Sequence, residues 1–83
     1  MKTISKRQSF LIEAFGWYGV VAIVSAYTLV SFELYKPFEI LPVFLNISGS
    51  AGILLDAWKD RNWQPVAINT IWIAIAVLTF LGN

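Results

Sequence analysis

The sequence contains no cysteine and no histidine. Without cysteine the chain has no disulfides and no thiolate chemistry. Without histidine it lacks the commonest metal ligand, the usual general base and the usual axial ligand of haem. No two carboxylates lie close together inside the apolar segments, so acid–base catalysis lacks its usual groups as well. We therefore predict that the protein is not an enzyme and that it holds neither a metal ion nor a cofactor.

Charged residues are also scarce. They make up 13% of the 83 residues, and hydrophobic residues make up 58%, whereas a soluble domain has about 25% charged residues. So few charges cannot cover a water-soluble surface, and we expect the surface to face mostly a lipid bilayer. The net charge of +1 provides no basic field for nucleic acid, so we expect no nucleic-acid partner.

Three apolar segments are long enough to cross the hydrocarbon core, which is about 30 Å thick. They run from about residue 14 to 32, from 40 to 58 and from 63 to 81. The second and third are joined only by the charged turn Lys59–Asn62, which is so short that these helices must be antiparallel neighbours. Pro42 and Pro65 fall in first turns, where proline is tolerated, and Asn62 is a candidate N-cap. The sequence thus predicts one all-α transmembrane domain over residues 1–83.

Lysine and arginine are distributed unevenly between the two sides of this arrangement. One side, which holds the N-terminus and the second connection, has Lys2, Lys6, Arg7, Lys59 and Arg61, and the other side has Lys36 alone. The positive-inside rule then places the N-terminus in the cytoplasm. We expect a multi-pass membrane protein.

Small residues recur at helical spacing in the first two spans. Small side chains allow membrane helices to approach closely, since packing replaces the hydrophobic drive that lipid removes. The residues predicted to pack helices together are Gly16, Gly19, Ser48, Gly49 and Gly52.

Two asparagines lie within the apolar spans. A carboxamide that faced lipid would leave its donors and acceptor unpaired, so Asn46 and Asn69 should point into protein or a wet cavity. They either bind a polar solute or hydrogen-bond to each other or to backbone. Trp72 lies one turn from Asn69, where it either supplies packing bulk or stacks on a sugar or nucleoside ring. We predict Asn46, Asn69 and Trp72 as substrate-binding residues.

One carboxylate lies near the end of the second span. Asp56 is three residues before Lys59, so the two can pair on one helix face. The alternative is that Asp56 titrates or gates at the mouth of a cavity. Glu13, at the start of the first span, is expected to be a solvated interfacial charge.

Four segments carry a resemblance to a known family: Gly16-Trp17-Tyr18-Gly19, Ala26-Tyr27-Thr28-Leu29, Leu45-Asn46-Ile47-Ser48-Gly49-Ser50 and Ile68-Asn69-Thr70-Ile71-Trp72. In these segments the chain resembles a family of small bacterial membrane proteins with three spans. The resemblance extends from about Gly16 to Leu78. It implies a three-helix membrane fold in the bacterial inner membrane and carries no activity with it.

A more distant similarity is to the SemiSWEET and PQ-loop transporters, three-span units that pair into a six-helix sugar carrier. Their third span carries an asparagine shortly after a proline, and Pro65-Val66-Ala67-Ile68-Asn69 is similar. This similarity implies a SemiSWEET-like three-helix unit in which Asn69 contacts substrate and Trp72 is its neighbour. The chain departs from that pattern at residues 25–28, where the Pro-Gln pair is missing, and in its predicted orientation.

Two functions follow from these observations. Three helices are too few to enclose a pathway, so a transporter would be a homodimer that moves a small polar solute, such as a sugar, through a six-helix cavity. The alternative is a non-catalytic accessory or structural subunit of a larger membrane complex, held there by its small-residue surfaces.

Overall fold

A computed structural model of the chain describes residues 5–82. These residues form three α-helices, α1 (Lys6–Ser31), α2 (Ile40–Lys59) and α3 (Trp63–Leu81), and contain no strand. Each helix is long and apolar enough to cross a membrane. This confirms the predicted all-helical fold with three candidate membrane spans. Lys2, which contributes to the predicted charge asymmetry, lies outside the described residues.

Helix α1 begins at Lys6, well before the apolar segment predicted from about residue 14. The cause is a capping box at Ser5. The Gln8 N–H donates to Ser5 Oγ (3.1 Å), and the Ser5 N–H donates to Gln8 Oε1 (3.0 Å). Two N–H groups at the helix start are thereby satisfied, so the polar first turns are helical although hydropathy does not mark them.

The second connection, residues 60–62, is closed by backbone hydrogen bonds. The Arg61 N–H donates to the Trp58 carbonyl (3.0 Å), and the Asn62 N–H donates to the Ala57 carbonyl (2.8 Å). This is the Schellman arrangement, which satisfies the last carbonyls of a helix. Arg61 occupies the left-handed position with φ 55°, as Glu33 does with φ 61° after α1. Asn62 is at the N-cap of α3, but contrary to expectation its side chain makes no capping hydrogen bond.

The three helices lie in the order α1, α2, α3, with α2 in the centre. Helix α2 packs against both neighbours, and no Cα atom of α1 comes within 8 Å of one of α3. The long axis of the molecule measures 42 Å, which matches a bilayer with its headgroup regions, about 40–45 Å. This order leaves space between α1 and α3 on one side of α2.

Backbone atoms of α1 and α2 approach closely at glycines. A Cβ atom on Gly49 would stand 2.9 Å from the Gly19 carbonyl oxygen. A Cβ atom on Gly52 would overlap the carbonyl oxygen of Phe15. Only residues without a side chain permit this distance between the helices.

Polar side chains inside the spans are mostly satisfied. Tyr18 Oη and Ser48 Oγ form a hydrogen bond of 2.7 Å between α1 and α2. Thr28 and Thr70 donate to the carbonyls of the residues four positions earlier in their own helices. Ser50 is an exception within residues 5–82, because its hydroxyl is fully buried and has no hydrogen-bond partner.

Candidate functional site

A groove of about 350 Å³ lies among the three helices. Its lining is mostly aliphatic, and it contains the aromatic or polar residues Tyr27, Asn46, Trp72 and Thr79. The lining residues come from the C-terminal half of α1, the first turns of α2 and the C-terminal half of α3, together with Pro37. The groove therefore lies towards the first connection, residues 32–39.

Two of the three predicted substrate-binding residues meet in this groove. Asn46 of α2 is half-buried, Trp72 of α3 is half-exposed, and both belong to the lining. Their chain positions are far apart, so only the packing of α3 on α2 brings them together. A carboxamide and an indole thus line one groove between the apolar helices.

Asn69 has a different environment. Its side chain is buried, and Nδ2 donates a hydrogen bond of 2.8 Å to the carbonyl oxygen of Pro65 in the same helix. It does not belong to the groove lining. Of the two alternatives drawn from the sequence, the structure shows the hydrogen bond to backbone.

Tyr27 and Thr79 also line the groove, although neither residue was predicted to bind substrate. Thr79 lies seven residues after Trp72 and three after Ala76, which also lines the groove. That spacing places the three residues on one face of α3, and it could have identified Thr79 from the sequence. Tyr27 has the same kind of signal, since Ile23 lies four residues before it and Val30 three residues after it, and both line the groove.

A cluster of charges lies at the opposite end of the molecule, near the second connection. Lys59 Nζ is 3.2 Å from Glu13 Oε1, 2.9 Å from Asp60 Oδ1 and 3.5 Å from Asp56 Oδ1. We call these four residues the Lys59 cluster. The Asp56–Lys59 pair follows the helical spacing, whereas the bond from Lys59 to Glu13 joins α1 to α2 and has no signature in the sequence.

Glycine also shapes the Lys59 cluster. A Cβ atom on Gly16 would stand 2.8 Å from Asp56 Oδ2, so the absence of that atom lets Asp56 lie against α1. The side chain of Lys59 is only 7% exposed, while that of Glu13 is 55% exposed. The Lys59 ammonium group is attracted to all three carboxylates, since opposite charges lie within 4 Å of it.

The predicted packing residues lie at the contact between α1 and α2. Gly19 and Gly49 face each other, Gly52 lies against the backbone of Phe15, and Gly16 lies against Asp56. Ser48 takes part through its hydrogen bond to Tyr18. The structure therefore brings together all five residues that small-residue spacing indicated.

A family model matches residues 12–82 of the chain. The chain belongs to the family of small three-span membrane proteins that its sequence resembles. No curated protein and no solved structure matches it. In this family member the matched range contains the groove, the glycine contacts and all four residues of the Lys59 cluster. These features therefore lie within the family's own domain.

The acidic residues of this family member do not form a metal site in the part of the chain that the structure describes. Among residues 5–82, no group of three or more acidic, histidine or cysteine side chains is placed to hold a metal ion. In the Lys59 cluster the cation among the three carboxylates is the lysine ammonium group. The groove offers hydrogen-bonding and stacking groups, and the opposite end of the molecule holds ion pairs.

Proposed function

We propose that the protein is one protomer of a small transporter, which moves a small polar solute, such as a sugar, across the bacterial inner membrane. The observation that carries this proposal is the placement of Asn46 and Trp72 in one groove, although they come from two different helices. A structural contact alone does not require a carboxamide at that position, because an aliphatic side chain would fill the same volume without a polar group to satisfy.

The groove has the composition of a small-molecule site. Such sites measure about 300–1,000 Å³ and combine an apolar lining with a few polar groups that fix orientation. The carboxamide of Asn46 offers two donors and an acceptor to hydroxyl groups, and the indole of Trp72 offers a flat face to a ring. A sugar presents both hydroxyl groups and an apolar ring face, so it fits this pair.

The proposal includes a second copy of the chain, because the groove is open and three helices cannot enclose a pathway. A two-fold axis in front of the groove would place the same residues of the second copy opposite Asn46 and Trp72. The resulting six-helix cavity is the arrangement that the similarity to SemiSWEET transporters implies. The positive-inside rule supports a cytoplasmic N-terminus through Lys6, Arg7 and Arg61.

Asn69 enters this proposal as a secondary residue. Its side chain is buried outside the groove lining, with Nδ2 bonded to the Pro65 carbonyl, so it contacts solute only after α3 moves. The direct binding role therefore rests first on Asn46 and Trp72. We assign Asn69 to substrate binding in those states of the transport cycle in which α3 presents its amide to the cavity.

The test is uptake of radiolabelled glucose and sucrose into proteoliposomes that contain the purified chain. We expect uptake above that of empty liposomes and a loss of about tenfold in Asn46→Ala, as expected for the loss of one or two hydrogen bonds. Thr70→Ala is the matched control, since Thr70 bonds only to the backbone of its own helix in the structure and lies outside the groove lining. Equal uptake by wild type and Asn46→Ala would exclude the groove as the path of these sugars.

A second function has one observation in its favour. Most of the groove lining is aliphatic, including Ile23, Val30 and Ile75, and such a surface also receives a helix of another polypeptide. The protein would then be a non-catalytic accessory or structural subunit of a larger membrane complex. The native mass in mild detergent separates the two functions. A particle with two copies of this chain supports the transporter, and a particle with other polypeptides supports the subunit.

A further inference from the structure

The groove and the Lys59 cluster lie at opposite ends of the same helix pair. Groove residues of α1 and α2, such as Tyr27 and Asn46, are near the first connection, whereas Glu13 and Lys59 are near the second. The backbone contact of Gly19 with Gly49 lies between them. The molecule thus has a groove at the end near the first connection, and an ion pair joins α1 to α2 at the end near the second.

The Lys59 cluster has a single member on α1. Glu13 comes from α1, Asp56 and Lys59 come from α2, and Asp60 comes from the connection that follows. The bond of 3.2 Å from Lys59 Nζ to Glu13 Oε1 is therefore the link by which the cluster joins the two helices. Loss of that one bond would leave Lys59 with the two carboxylates on its own side.

The cluster contains more negative than positive charge. Three carboxylates surround one ammonium group, so its formal charge is −2 (three minus one). Lys59 is the charge that keeps Glu13 close to Asp56 and Asp60. If the ammonium group is removed, Glu13 faces two like charges across the helix interface, and like charges at this range repel. The three remaining carboxylates would then drive the two helices apart.

We propose that the Lys59 cluster is a gate, which keeps α1 and α2 together at the second-connection end and opens when Lys59 leaves Glu13. As a gate for solute it rests on the proposed transport function, because the cluster lies at the end of the protomer opposite the groove. The separation of the two helices is a property of the chain itself and is measurable without a solute. Asp56, a predicted gating residue, takes part through Lys59 and through its position against Gly16.

The test uses distances between spin labels, measured by double electron–electron resonance on the purified chain in lipid nanodiscs. The sequence has no cysteine, so labels can be placed by two substitutions alone. The gate pair is Phe10→Cys with Leu55→Cys, and the reference pair at the other end is Val24→Cys with Phe44→Cys. All four positions are exposed.

We expect Lys59→Met to lengthen and broaden the distance distribution of the gate pair and to leave the reference pair unchanged. Glu13→Gln should lengthen the gate-pair distance less, because the ion pair between Lys59 and Glu13 is lost but no like charges are left facing each other. The double variant should resemble Glu13→Gln, since no charge on α1 then remains to repel Asp56 and Asp60. Lys36→Met, at the first connection, is the matched control and should change neither pair.

An unchanged gate pair in Lys59→Met, with native helix content by circular dichroism, would overturn the proposal. If Lys59→Met loses helix content, the test is made with Glu13→Gln instead. An unchanged distance distribution of the gate pair in Glu13→Gln then refutes the gate equally. The transport role is separable from the movement. Longer distances together with unaltered sugar uptake refute the gating of solute and leave the movement established. No sugar uptake by the wild-type chain refutes the proposed function, and unaltered distances with normal uptake refute the gate alone.

Discussion

Gly19 and Gly49 place the backbones of α1 and α2 against each other. A Cβ atom on Gly49 would stand 2.9 Å from the carbonyl oxygen of Gly19, and a Cβ atom on Gly19 would overlap the carbonyl oxygen of Gly49. The atoms in the way are backbone atoms of the opposite helix, so a rotamer change cannot relieve the contact. The helices themselves must move apart if either glycine gains a side chain.

Substitution of Gly19 should therefore destabilise the protein strongly. We expect Gly19→Ala to cost about 2–3 kcal/mol, as overpacking at a rigid contact does, despite the better helix propensity of alanine. The measurement is reversible unfolding in mixed detergent micelles followed by circular dichroism. Ala74→Val is the control, since Ala74 is exposed on α3, and it should change stability little. Equal effects of the two substitutions would contradict the close contact.

The hydrogen bond between Tyr18 and Ser48 should make a small contribution to stability, which is lost when either hydroxyl is removed. It measures 2.7 Å and joins α1 to α2, and hydrogen bonds between membrane helices contribute about 0.6 kcal/mol on average. Tyr18→Phe and Ser48→Ala each remove the same bond. Their double variant should therefore lose no more stability than the larger single effect. Fully additive losses in the same unfolding assay would show that the two hydroxyls act separately.

The second connection should become more stable when its left-handed residue is replaced by glycine. Arg61 has φ 55°, which costs an L-residue roughly 1–2 kcal/mol, whereas glycine adopts it freely but loses more entropy on folding, about 0.5–1 kcal/mol. We expect Arg61→Gly to gain about 0.5–1 kcal/mol in net stability, measured by the same unfolding assay. Asn62→Gly is the control, because Asn62 has φ −91°, and it should bring no gain.

Quenching of tryptophan fluorescence by brominated lipids should show whether a second copy covers the groove. In a background with Trp17→Phe, Trp58→Phe and Trp63→Phe, Trp72 is the remaining indole. A second variant carries its single tryptophan at position 71 instead, through Trp72→Ile with Ile71→Trp. The two indoles lie at nearly the same membrane depth. Ile71 is exposed and does not line the groove.

If the groove faces a second copy, Trp72 should be quenched less than an indole at position 71. A helix partner excludes acyl chains from the groove, while position 71 stays in contact with lipid. Equal quenching of the two proteins would show that acyl chains fill the groove, which would remove the homodimeric cavity from the proposed mechanism.

Much of the fold was predictable because its causes are local. Runs of about twenty apolar residues predict membrane-spanning helices, since each backbone polar group in lipid must be paired within its own segment. The turn at residues 60–62 was predictable from its charge and shortness. The capping box at Ser5 was also present in the sequence, but hydropathy alone places the start of the helix at the first apolar residue instead.

The site was only partly predictable. Small-residue spacing identified Gly19 and Gly49, because close packing of helices has a compositional signature. The hydrogen bond from Asn69 to Pro65 is local, and the sequence left it as one of two alternatives. The bond from Lys59 to Glu13 spans 46 positions, and no periodicity predicts a pair that depends on how two helices pack.

The sequence by itself determined three helices that are long and apolar enough to span a membrane, because length and hydropathy act on each segment separately. It also determined which helix faces are small enough for close contact. Only the tertiary structure decided that α2 is central, that Asn46 and Trp72 share a groove, and that Lys59 is held by carboxylates from both sides of the helix interface. These relationships depend on the rotation and register of one helix against another, which follow from packing and not from the composition of any one segment.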